Sequence, residues 1–63
     1  MCLSKAFVEN SRGRKLLMEE VSSLAVKEGK VVLQTLFGER KEIRANIKEI
    51  DFLNHTIVVE DLR

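Results

Sequence analysis

The sequence predicts a small all-β domain, a barrel or sandwich of about six or seven short strands. Three observations carry this expectation. Apolar and β-branched residues come in short runs, such as Val31-Val32-Leu33 and Ile57-Val58-Val59, the mark of strands rather than of long helices. Three glycines, Gly13, Gly29 and Gly38, sit beside charged residues and punctuate the chain as turns, and proline is absent. The runs recur at intervals of roughly 8 to 12 residues, the spacing of a small barrel or sandwich.

Each element follows from its residues. Cys2 to Glu9 reads as a first strand, with Cys2, Ala6 and Val8 on one face and Leu3 and Phe7 on the other. Asn10-Ser11-Arg12-Gly13 has the residue types of a turn. Arg14 to Met18 resumes as a strand. Val21 to Ser23 reads as a short bend, after which Leu24 and Val26 alternate with Ala25 and Lys27. Lys27-Glu28-Gly29-Lys30 is a hairpin turn, and Lys30 to Phe37 is the richest strand. Gly38-Glu39-Arg40-Lys41 turns the chain again. Glu42 to Ala45 and Ile47 to Phe52 follow as two strands. Ile43, Ile47 and Ile50 also fit one face of a helix, but the segment is short and flanked by strands. Leu53 to Thr56 is the last turn, and Ile57 to Glu60 closes the chain. A barrel would remove the open edges that a short sheet presents.

A chain of 63 residues makes one domain, spanning residues 1–63. Domains near 60 residues bury only about 60% of their unfolded surface. They commonly need a disulfide, a metal or a partner subunit. One cysteine rules out a disulfide within the chain, which leaves self-association or metal binding. A single cysteine does not read as a secreted disulfide framework. No basic region followed by a long apolar run opens the chain, and the apolar stretches are far too short to span a membrane. A cytoplasmic protein is expected.

Eleven basic residues stand against ten acidic ones, a net charge of +1, with 33% of residues charged. Such a mixed surface suits solubility and lacks the basic excess of a sequence-independent nucleic-acid binder. With no Trp or Tyr and three Phe, stacking platforms for single-stranded nucleic acid are scarce.

Cys2 is the residue most open to chemistry. A small residue after Met1 permits removal of the initiator methionine. That would leave Cys2 with a free α-amine beside its thiol. The two groups titrate near 7.7–8.0 and 8.5 in reference peptides, so both can lose a proton to a metal near neutral pH. Together they form a five-membered chelate. Two such chelates, one from each of two subunits, would supply N and S donors to one ion, and square-planar N and S coordination suits Ni(II) or Cu(II). A lone thiol on an apolar strand face is, by itself, more often a small buried hydrophobe.

Beyond chemistry, the residues carry a likeness. The opening Met1-Cys2-Leu3-Ser4-Lys5, the central Val31-Val32-Leu33-Gln34-Thr35-Leu36-Phe37-Gly38-Glu39 and the closing Ile57-Val58-Val59-Glu60 span nearly the whole chain. In this combination the sequence resembles the CooT family of small nickel-binding proteins. The resemblance implies an SH3-like barrel, a homodimer, and Ni(II) held near the dimer axis by Cys2 of each subunit. It also implies a metallochaperone-like role in maturing nickel-dependent carbon monoxide dehydrogenase, with that enzyme or its accessory proteins as partners. Only Cys2 carries over as a ligand. Thr35-Leu36-Phe37-Gly38 is better explained as strand and turn. Some relatives of this kind bear a general RNA-binding label, which fold alone does not justify.

Other candidates have plainer readings. His55, the only histidine, is a metal-ligand type but stands where a solvated turn residue is expected. Arg40, Lys41 and Arg44 are the residues that an RNA-binding reading would use for phosphate contact. Their neighbours Glu39 and Glu42 favour a mixed-charge surface, and a metal-free dimer using the barrel face is a further alternative. No nucleophile stands with a base, and no P-loop or Cys-x-x-Cys is present. A chain of this size offers little room for a substrate pocket. An enzyme is not expected.

Overall fold

The computed structural model describes residues 3–62, and within them the chain is all β. Five strands, β1 (Ser4–Asn10), β2 (Gly13–Lys27), β3 (Lys30–Thr35), β4 (Arg40–Asp51) and β5 (Thr56–Asp61), close into a barrel in chain order. Four neighbouring pairs are antiparallel, while β1 and β5 run parallel. An odd number of strands laid up and down leaves the first and last pointing the same way, so closure has to be parallel. Among the described residues no helix is long and apolar enough to cross a membrane.

The expected all-β barrel is therefore present, with fewer and longer strands than six or seven. The pieces Arg14–Met18 and Leu24–Lys27 are one 15-residue strand, β2. The pieces Glu42–Ala45 and Ile47–Phe52 are one 12-residue strand, β4, except for Phe52, which lies in the turn that follows it. The difference is physical. The chain bends at these places without leaving the ladder. Glu20 takes a positive φ of 57°, and register shifts follow between Val21 and Ser23. In β4 the shift falls between Ile47 and Glu49. Such irregularities sharpen the bend of a strand. They let β2 pair with β1 over its first half and with β3 over its second. Ile43, Ile47 and Ile50 belong to this strand and share no helical face. Arg40 and Lys41 are in β4 rather than in a turn, and Leu36 and Phe37 are in a turn rather than in β3.

The turns follow from their residues. At Glu28-Gly29 both φ angles are positive, 46° and 79°, the geometry of the tight hairpin that matches strand twist. At Asn10–Gly13 the Asn10 side chain accepts a hydrogen bond from the Arg12 amide at 2.8 Å, an Asx turn.

The core is Ala6, Val21, Val31, Leu33, Ala45, Ile57 and Val59, with Val8, Leu17, Met18, Leu24 and Ile43 packed against it. It draws on all five strands. Val32 and Val58 are buried on the opposite faces of β3 and β5, which is why these two strands read as continuous apolar runs rather than alternating ones. Phe7 lies in register beside Val58 and is half-buried.

Candidate functional site

The entry of β1 is held from two sides. Ser4 stands opposite Val21 of β2, and Val21 stands opposite Thr35 of β3. On the other side Lys5 is in register with Thr56 of β5, and the Lys5 amide donates to the His55 carbonyl at 3.0 Å. The beginning of β1 thus lies between two turns, residues 36–39 and 52–55.

Thr35 builds the first turn. It is the one buried polar residue among those described. Its hydroxyl accepts from the amides of Phe37 at 3.2 Å and Glu39 at 3.1 Å. Its own amide donates to the Glu39 carbonyl, and its carbonyl accepts from the Gly38 amide. The Leu36 amide reaches the Glu20 carbonyl at 3.0 Å, tying the turn to the bend in β2. Gly38 has a φ of 91°, a conformation that glycine adopts without strain. The segment Thr35-Leu36-Phe37-Gly38 is accordingly strand end and turn.

Asp51 builds the second turn. Its carboxylate accepts from the amides of Leu53 and Asn54 at 3.0 and 3.1 Å and from the Asn54 side chain at 2.8 Å. These bonds, the Asn54 side chain foremost, hold the Asp51 carboxyl below its ordinary range. The group is committed to the turn and has little capacity left for a ligand. His55 is exposed there at a φ of 52°, as expected of a solvated turn residue.

Both turns carry bare apolar side chains. Phe37 is 73% and Phe52 83% exposed, and Leu36 and Leu53 are exposed beside them. Two of the three phenylalanines therefore flank the entry of β1 in water. Sequence reasoning missed this. The available signal was apolar pairs at the positions where a turn normally carries polar residues.

Cys2, the predicted ligand, lies outside the described residues. Among the described residues no three His, Cys, Asp or Glu side chains gather as a metal site.

The basic residues of the alternative reading do not form one patch. Alternation along β4 puts Arg40, Glu42 and Arg44 on one face and Lys41 with Ile43 on the other. Arg40 is 3.8 Å from Glu42. Arg44 lines a cavity of about 390 Å³ with Val8, Leu17, Glu42, Ile43 and Asp61, so two carboxylates share its surroundings. At the far end of β1, Glu9 accepts from Lys48 and from Arg14, the latter at 3.0 Å. Lys48 chiefly, then Arg14, hold the Glu9 carboxyl below its ordinary range.

Comparison with known proteins bears on this site. A family model described as CO dehydrogenase accessory protein CooT matches residues 1–60. The chain is also similar to a crystal structure described as a CooT from Carboxydothermus hydrogenoformans. The TM-score is 0.88, with 34% identity over 98% of this chain and 100% of that one. No curated protein matches.

Proposed function

The chain belongs to the CooT family, and from that premise we propose that it is a nickel-handling accessory protein for a carbon monoxide dehydrogenase. It is not an enzyme. It serves the maturation of one, with Ni(II) as cargo rather than as a resident cofactor. The observation that carries this reading is the extent of the family match, which runs from residue 1 to residue 60 and so includes Cys2.

In this reading Cys2 supplies the thiolate. Where Met1 has been removed, it also supplies the α-amine, and two copies complete an N and S set around one ion. One argument supports sharing between chains: a domain of this size gains from a partner. Both donors must lose a proton to bind, so nickel affinity rises with pH through the range of the amine and the thiol. The nucleic-acid alternative has no comparable support, since Arg40 and Arg44 are separated from Lys41 by the faces of β4 and mixed with carboxylates.

Titrating Ni(II) into the metal-free protein should give a thiolate-to-metal absorption band that saturates at one ion per two chains. Native mass measurement reads Met1 removal and metal content together. Undiminished nickel binding by Cys2→Ser would overturn the reading.

A further inference from the structure

Where β2, β3 and β4 lie side by side, one end of the sheet sets three cations in a row. Lys27 stands opposite Lys30 across the hairpin, and Lys30 stands opposite Arg44. Residues directly opposite share a face with Cβ atoms about 5 Å apart, so the row spans about 10 Å. Like charges in such positions repel, and a chain of 63 residues has little stability to set against that. None of the three enters an ion pair among the described residues. Together they line a depression of about 330 Å³ with Glu28, Val32 and Glu42. Val32, two residues along β3 from Lys30, forms its floor. It stands opposite Ala25 and Glu42 and is buried outside the central core. Lysine and arginine stems cover such an apolar floor while their charged heads stay in water. Glu42 lies 3.8 Å from Arg40, so its charge is answered outside the row.

We propose that this row binds the phosphate chain of a small di- or triphosphate, bare or carried on a nucleotide. Three cations in line match an anion whose charges are also in line, whereas a compact ion such as orthophosphate reaches only part of the row. Lysine serves phosphate as a point charge and arginine as a two-pronged donor. A bound chain turns the repulsion within the row into attraction. A nucleic acid fits less well. Its single strands are held by aromatic stacking, and none of the three phenylalanines lines the depression.

The site is separate from the nickel reading. Strand β3 begins with the row at Lys30 and ends at Thr35, beside the entry of β1. Five residues of extended strand, roughly 16 Å, lie between the two. The test is run without metal, because phosphate chains themselves bind divalent ions.

Calorimetric titration of the metal-free protein with tripolyphosphate, pyrophosphate and orthophosphate, at one fixed low ionic strength, tests this. Affinity should fall in that order, by about threefold or more at each step. Adenosine triphosphate separates the sources: tighter binding than tripolyphosphate argues for a nucleotide, weaker binding for a bare chain, and equal binding for a row that reads the chain alone. Lys27→Met, Lys30→Met and Arg44→Met keep an apolar stem and remove one charge, and each should weaken tripolyphosphate binding about three- to fivefold. Without ligand, Lys30→Met should unfold at a urea midpoint no lower than the parent's, because two like-charge contacts are gone. Lys41→Met removes the same charge from the other face of β4 and should bind like the parent. Circular dichroism confirms that each variant is folded. No binding up to roughly 1 mM tripolyphosphate, equal affinity for orthophosphate and tripolyphosphate, or equal losses in Lys41→Met and Lys30→Met would each overturn the proposal. So would single-stranded RNA that binds through these three residues while the short chains do not. Each of these outcomes leaves nickel binding through Cys2 untouched.

Discussion

Removing the Thr35 hydroxyl tests how the most recognisable segment of the chain works. Thr35→Val keeps the shape and deletes the acceptor for the Phe37 and Glu39 amides. A net hydrogen bond contributes about 0.5–1.5 kcal/mol. Both amides belong to exposed residues and can recover part of that from water, so a loss of about 1–2 kcal/mol is expected. Each kcal/mol lowers Tm by about 4–8 °C in a domain of this size. Thr35→Ser keeps the acceptor and loses one buried methyl, about 0.8 kcal/mol. Urea unfolding at one fixed protein concentration gives the stabilities, because self-association would otherwise shift them. Amide exchange gives the cause. Phe37 and Glu39 should exchange faster in Thr35→Val and no faster relative to the rest of the chain in Thr35→Ser. If Thr35→Val lies within about 0.5 kcal/mol of the parent while Thr35→Ser costs more, the hydroxyl is not what organises the turn.

Two further outcomes follow from the geometry. Leu33 is fully buried at the centre of β3, and Leu33→Ala should cost about 2–5 kcal/mol, enough to leave much of a 63-residue chain unfolded at room temperature by far-ultraviolet circular dichroism. The Glu9 carboxyl is held below its ordinary value by Lys48 and Arg14. Its contribution is complete above the unfolded carboxyl range and disappears as pH falls through the lowered folded value. The urea midpoint of the parent should therefore drop more steeply on acidification than that of Glu9→Gln, and high salt should narrow the gap. Equal acid slopes would remove the ion pairs from the account.

The sequence alone determined the class of the fold, because the evidence for strands and tight turns is local. The turn residues Asn10 and Gly29 act on their own neighbours, and buried strands reveal themselves as unbroken runs at Val31–Leu33 and Ile57–Val59. The likeness that places the chain in its family was legible for the same reason, in Met1-Cys2 and Thr35-Leu36-Phe37-Gly38-Glu39. What only the tertiary structure decided is everything set by contacts distant in the chain. The fusion of two predicted strands into β2 depends on Glu20 bending while Val21 pairs with both Ser4 and Thr35. The parallel closure of β1 on β5 follows from the strand count, which no single turn reveals. Thr35 is a turn builder because the chain after it folds back to place two amides on one hydroxyl. The separation of Arg40 and Arg44 from Lys41, and the placing of two bare phenylalanines around the entry of β1, follow from register. Register is fixed by which side chains share the core, and that is a property of the closed barrel rather than of any segment of it.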